Sequence, residues 1–185
     1  EQSARGTSIF VDPVLGDGGN LYNGMTRQQV EAMREMVSVA DIAIPNYTEA
    51  ALLTNCNYRQ EGLSRGEAEA MLNELRAIGC RSALITRCPV DGKSSVAGYD
   101  SQADSYFLLH YDEIPGIFHG TGDLFAAILM VQMLSGKSMK EGTRKAMDTV
   151  YRLIDLNRNI NDRYQGILVE QFLTLLEENH ETKDH

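Results

Sequence analysis

The residues best suited to chemistry are Gly120-Thr121-Gly122-Asp123, directly ahead of the apolar run Leu124 to Leu134. Two glycines let a ligand come close to the backbone. A helix that starts there turns its unpaired N–H groups and the positive end of its dipole to the same point. That suits a phosphate, or the charge that builds on a phosphoryl group in transfer. An aspartate in the first turn can take the proton of an attacking hydroxyl. The same residues also fit a plain tight turn followed by an acid that favours a helix start.

A second set of polar residues follows short β-rich runs. Asp12 ends Ser8-Ile9-Phe10-Val11, and Asp17 lies beyond it in Gly16-Asp17-Gly18-Gly19-Asn20. Two carboxylates near phosphates suggest Mg2+, which keeps waters and takes few protein ligands. As local structure, Asp12 caps a loop and Asp17 sits in a glycine-rich turn. Asn46 and Glu49 follow Ile42-Ala43-Ile44. Glu49 can hold a metal-bound water, and the pair can equally be an N-cap with its N3 partner. Thr86 ends Ala83-Leu84-Ile85. Gly136-Lys137-Ser138 is not a phosphate loop, because Val131 stands where the first glycine is needed and no strand precedes it. Asn46-Tyr47-Thr48 fits a glycosylation sequon without other signs of secretion. His119 reads as a loop histidine bonded to nearby backbone.

Positioning these residues requires strands at Ser8–Val11, Ile42–Ile44 and Ala83–Thr86. Helices alternate with them, from Thr26 to about Val39 and from Thr48 to Thr54. Another opens at the capping box Ser64-x-x-Glu67 and runs to Ile78. On the first helix Val30, Met33, Met36 and Val37 form the apolar face. This alternation predicts a mostly parallel α/β sheet flanked by helices, with ligands at the C-terminal strand ends. Ser94–Tyr99 and Ser105–His110 then read as a β-hairpin. Beyond the helix Leu124–Leu134, a second capping box at Ser138-x-x-Glu141 opens one to about Leu156, and a last helix is expected over Val169–Glu178.

A chain of 185 residues suits one domain. Its net charge of -9 argues against nucleic acid, which needs a basic surface. No apolar run approaches the roughly 20 residues of a membrane span. Cys56, Cys80 and Cys88 have no metal-ligand spacing, and read as reduced, buried or half-buried thiols of a cytoplasmic protein.

In order, Asp12-Pro13-Val14-Leu15-Gly16-Asp17, the stretch from Ala40 to Ala50 through Ile44-Pro45-Asn46, Leu84-Ile85-Thr86, and His119-Gly120-Thr121-Gly122-Asp123-Leu124-Phe125-Ala126 resemble the pyridoxal kinases of the ribokinase-like superfamily. The resemblance covers most of the chain. Phe107 to Phe118 and Arg163-Tyr164-Gln165-Gly166 are most similar to the pyridoxamine kinases of Gram-positive anaerobes. It implies a ribokinase-like fold whose N-terminal part is absent, so that residues 1–185 are the C-terminal, ATP-binding and catalytic portion of a single kinase domain. The implied activity is ATP-dependent phosphorylation of the 5′-hydroxyl of pyridoxal, pyridoxamine or pyridoxine, with Mg2+, a monovalent cation and a homodimer.

By the same resemblance Asp123 is the catalytic base and Gly120, Thr121 and Gly122 the anion hole. Asp17, Asn46, Glu49, Thr86, Arg87 and Thr121 fall on the nucleotide side, with Ile114 near the adenine. Asp12, Asp17 and Glu49 are the metal-side residues. Ile44 stands where many members have threonine, and Arg87 where some carry serine. The alternatives are a hydroxymethylpyrimidine or sugar kinase of the superfamily, or a non-catalytic nucleotide-binding module. Those pyrimidine kinases often carry cysteine in the motif that here holds Asp123. Two further expectations follow: the chain alone phosphorylates pyridoxal poorly, since most of the vitamin pocket is missing, and the Ser8–Val11 strand is an exposed edge.

Overall fold

The computed structural model describes residues 7–116, 118–158 and 166–167. The chain forms two compact units, residues 1–112 and 113–185.

The first unit holds a five-stranded sheet. Its strands are β1 (Phe10–Val11), β4 (Ile42–Ala43), β5 (Ser82–Val90), β6 (Lys93–Asp100) and β7 (Ser105–His110), in the order β1-β4-β5-β6-β7. β1, β4 and β5 are parallel, with Phe10 opposite Ile42 and Ala43 opposite Ala83. β5, β6 and β7 are antiparallel. The alternating half of the sequence thus gives the parallel strands and the later β-rich runs give the hairpin, as expected.

Strand lengths differ from expectation. β1 is confined to Phe10–Val11, although Ile9 is held as well: its carbonyl accepts from Asp41 and Ile42 N–H, and its own N–H donates to Asp41 Oδ2 at 2.8 Å. β1 ends the strand order among the described residues. β5 runs four residues past Thr86, to Val90. It absorbs a register shift between Ile85 and Cys88, then turns at Asp91-Gly92 into β6. The stretch Gly16 to Asn20, read as a loop, is a small hairpin of β2 (Gly16–Asp17) and β3 (Asn20–Leu21). Gly18 and Gly19, at φ 57° and 82°, form its two-residue turn, the backbone sign that such tight hairpins require.

Helices α1 (Arg27–Ser38), α2 (Tyr47–Thr54) and α3 (Arg65–Ile78) belong to this unit. Val30 and Val37 of α1 are buried, but Met36 points to solvent; the buried stripe follows the i, i+3, i+7 spacing through Met33. α3 has the expected capping box, with Ser64 N–H donating to Glu67 Oε2 at 2.7 Å. Its buried residues Ala68, Met71, Leu72 and Leu75 join Ala83, Ile85 and Cys88 of β5 in one core. Cys80 is buried too, whereas Cys56 is exposed, contrary to expectation; all three thiols are free. Burial pushes the Cys80 and Cys88 thiols up to about 11 and about 12, so both stay protonated and inert as nucleophiles.

The second unit is a helical hairpin of α4 (Thr121–Leu134) and α5 (Met139–Asn157). α4 begins three residues before the expected Leu124, so Thr121, Gly122 and Asp123 are its first turn. α5 starts at the expected box, with Glu141 N–H donating to Ser138 Oγ at 3.3 Å. The pair packs closely at Gly142, where a Cβ would lie 3.1 Å from Leu129 Cδ1. The helix expected over Val169–Glu178 lies outside the described residues, as do Arg163, Tyr164 and Gln165. No helix among the described residues is long and apolar enough to cross a membrane.

Candidate functional site

The parallel strands deliver their polar residues to one place. β1 leads through Asp12 and Pro13 to the β2–β3 hairpin, and β4 leads through Pro45 to α2. Thr86 N–H donates to Pro45 carbonyl at 2.9 Å, and a parallel bridge joins Asn46 to Thr86. The hairpin is then fastened to the start of α2. Asn46 Nδ2 donates to Gly16 carbonyl at 2.9 Å, and Gly19 N–H to Thr48 Oγ1 at 2.9 Å. Leu15 N–H donates to Glu49 Oε1 at 3.0 Å. Gly16 must be glycine here, because a Cβ would meet Asn20 carbonyl at 2.2 Å.

Glu49 is central to this arrangement. It is the N3 partner of the Asn46 cap, with Asn46 N–H donating to Glu49 Oε2 at 2.9 Å and Glu49 N–H to Asn46 Oδ1 at 3.0 Å. Its other oxygen holds the Asp17 loop. Only 3% of the residue is exposed. Burial pushes the carboxyl up to about 7, against the backbone N–H groups of Asn46, Leu15 and Gly16 that pull it down; the Asp12 carboxylate adds to the rise. Between the ordinary value of 4.5 and about 7, the folded chain keeps a proton that the unfolded chain releases. Stability from this group is therefore full below the unfolded value and is lost as pH rises through the folded one. We expect the parent to lose about 3 kcal/mol between pH 5 and pH 8 relative to Glu49→Gln. Parallel denaturant titrations of the two proteins would show it, and equal slopes would rule it out.

Asp17 is half-exposed at the hairpin tip. Its Oδ1 accepts from Gly18 N–H at 2.8 Å and its Oδ2 from Arg87 Nη1 at 2.7 Å. Arg87 adopts φ 51°, at the register shift of β5. Asp12 is half-buried beside this group. Tyr22 was not singled out from the sequence. Partial burial, then the carboxylates of Asp17 and Glu49, raise its phenol above the ordinary value, which puts it among the acids. A tyrosine after a glycine-rich turn carries no signal without the fold. Among the described residues, no three His, Cys, Asp or Glu side chains form a closed metal cage. An open arrangement of one or two carboxylates suits a Mg2+ ion whose other ligands are waters and phosphates.

The remaining predicted residues belong to the second unit. Gly120 is the N-cap of α4, at φ 84°, and offers no side chain to the first-turn N–H groups. Among the described residues, a Cβ at Gly120 or Gly122 would meet nothing within 4 Å. Thr121 Oγ1 donates to Phe118 carbonyl at 3.2 Å, which fixes the approach to the turn. Asp123, the third residue of α4, is exposed. Ile114 is half-buried in the segment leading to it. Hence Asp12, Asp17, Asn46, Glu49, Thr86 and Arg87 are brought together in one unit, while Gly120, Thr121, Gly122, Asp123 and Ile114 lie in the other.

The chain resembles known kinases in sequence and in fold. The pyridoxine/pyridoxal/pyridoxamine kinase of Bordetella avium is 35% identical over 135 residues, which are 71% of this chain and 44% of that protein. The crystal structure of pyridoxal kinase from Lactobacillus plantarum superposes with a TM-score of 0.80 at 31% identity, over 94% of this chain and 63% of that one. Pyridoxal kinase from Leishmania donovani, solved with ADP and pyridoxine, gives 0.73 at 27% identity, over 95% and 60%. The chain thus spans between two fifths and two thirds of the length of these relatives. The ribokinase-like architecture expected from the sequence is the one they share. The family model described as phosphomethylpyrimidine kinase matches residues 2–167, nearly the whole chain, and the chain belongs to that family.

Proposed function

We propose that this chain is the nucleotide-binding and catalytic portion of a single kinase domain that phosphorylates the 5′-hydroxyl of a vitamin B6 vitamer with ATP. The observation that carries the reading is the fastening of the Asp17 hairpin to Asn46, Thr48 and Glu49 at the start of α2, with Asn46 in turn bridged to Thr86 of β5. It pre-forms a polar surface before any ligand arrives, and positioning is most of what phosphoryl transfer asks of a protein.

In this mechanism Asp123 accepts the proton of the substrate hydroxyl. The oxygen forms its bond to the γ-phosphorus as the bond to the bridging β–γ oxygen breaks, and ADP leaves. The N–H groups at Gly120, Thr121 and Gly122 receive the charge that develops on the phosphoryl oxygens. Asp12, Asp17 and Glu49 form the acidic side that would hold Mg2+, which when bound neutralises phosphate charge. Thr86 and Arg87 contact the nucleotide, and Ile114 lies against the adenine. A monovalent cation, a homodimer and a cytoplasmic location complete the reading.

A second reading, a hydroxymethylpyrimidine kinase, is favoured by the description of the family model. ADP release with Mg2+-ATP and pyridoxal, pyridoxamine, hydroxymethylpyrimidine or ribose separates the two. Turnover on hydroxymethylpyrimidine alone would overturn the vitamin B6 assignment. Asp17→Ala should weaken nucleotide binding with Mg2+ present and should not weaken the binding of metal-free ATP, because this carboxylate reaches phosphate only through a cation. Calorimetry with equal losses in both conditions would remove Asp17 from the metal side.

A further inference from the structure

The Asp17 carboxylate is already occupied by the chain itself. Gly18 N–H takes one oxygen and the Arg87 guanidinium takes the other, at 2.8 and 2.7 Å. Resting on the nucleotide-binding reading above, we propose that Arg87 is a phosphate-binding residue held in reserve on Asp17, and that a divalent metal arriving with the nucleotide displaces it onto the phosphates.

Three features point this way. Arg87 makes no other hydrogen bond or ion pair among the described residues, and its side chain is 65% exposed, so it is free to turn. Its backbone is not free. Ile85 and Cys88, on either side, are fully buried, and Thr86 is bonded to Pro45. Between these anchors the register of β5 shifts, and Arg87 takes the left-handed φ of 51°, a conformation that a non-glycine residue adopts at a cost. The bulge thereby aims a guanidinium at the strand end carrying Asp17, Asn46 and Glu49. A guanidinium fork fits a phosphate as well as a carboxylate. A divalent cation and a guanidinium, by contrast, repel each other on one carboxylate oxygen.

The exchange is therefore ionic and balanced. The metal gains Asp17, Asp17 loses Arg87, and Arg87 gains a phosphate oxygen. Bare metal must displace Arg87 with nothing to receive it. Metal bound to nucleotide brings the receiving group along. Arg87 thus favours the metal–nucleotide complex over free metal.

The test measures Mn2+ binding by electron paramagnetic resonance and Mg2+-ATP binding by calorimetry, on the parent, Arg87→Gly and Arg87→Lys. Glycine tolerates the left-handed backbone, and thermal melts of each variant check folding. Arg87→Gly should bind Mn2+ alone about threefold more tightly, the size of an exposed ion pair removed. It should bind Mg2+-ATP about tenfold more weakly, the size of a charged hydrogen bond lost. Arg87→Lys, which keeps the charge without the fork, should bind Mn2+ like the parent. The opposite signs are the signature. Both constants shifting the same way, or neither shifting, would overturn the exchange and leave the nucleotide reading intact. A folded parent that binds no Mg2+-ATP would overturn that reading and the exchange with it.

Discussion

Asp123→Asn should lower phosphorylation by about 10²- to 10⁴-fold in an active kinase carrying this chain, with Mg2+-ATP affinity nearly unchanged. The substitution preserves size and the ability to accept a hydrogen bond, but asparagine cannot take a proton at neutral pH. Helix α4 should persist, since Asp123 is exposed and makes no cap on which the helix depends. The two readouts together are diagnostic. A loss in the chemical step alone marks an interaction made in the transition state. A parallel loss of nucleotide affinity would instead mark Asp123 as part of the binding surface. Turnover within threefold of the parent would remove it as the base. Replacing Thr121 by alanine makes a useful companion, because its hydroxyl bonds to Phe118 carbonyl and shapes the turn without moving a proton.

What could be read from the sequence divides along physical lines. The ends of β1 and β4 were legible because a short apolar run meets a polar residue or a proline there, which places Asp12 and Asn46 just beyond them. The starts of α3 and α5 were legible because Ser64 with Glu67, and Ser138 with Glu141, carry their caps within one turn. The β2–β3 hairpin was not, since Gly18-Gly19 reads as loop and each strand is two residues long. The full length of β5 was not legible either, since the apolar run ends at Ile85 and the strand resumes, through Pro89, only beyond a register shift. Least legible were contacts between residues far apart in the chain. Arg87 and Asp17 lie 70 positions apart, and Glu49 lies 34 from the Leu15 N–H it accepts. No local pattern reports either pairing. From the sequence Glu49 fits equally a place beside a metal and the N3 position of the Asn46 cap, but its hold on the Leu15 N–H, a further structural task that requires no ligand, appears only in the fold.

That task predicts a loss of stability in the metal-free protein. Glu49→Ala at pH 5 should cost about 3 kcal/mol, or roughly 6–12 °C in Tm for a chain of this size. At that pH the parent carboxyl holds its proton, since burial has pushed it up to about 7, so the substitution relieves no buried charge. What it removes are acceptors for the buried N–H of Leu15 and for the N–H of Asn46, at 3.0 and 2.9 Å. It also empties space in a site that is 3% exposed. At pH 8 the same substitution also relieves a buried carboxylate, so the net loss should shrink. Glu49→Gln keeps one acceptor oxygen and should lose much less at pH 5. A carboxylate that served only a metal would give another pattern: with no metal present, neither variant would lose stability at pH 5. Melts of the three proteins in chelator at both pH values decide between the roles, and an unchanged Tm for Glu49→Ala at pH 5 would show that the Asp17 hairpin does not depend on Glu49 to hold it in place.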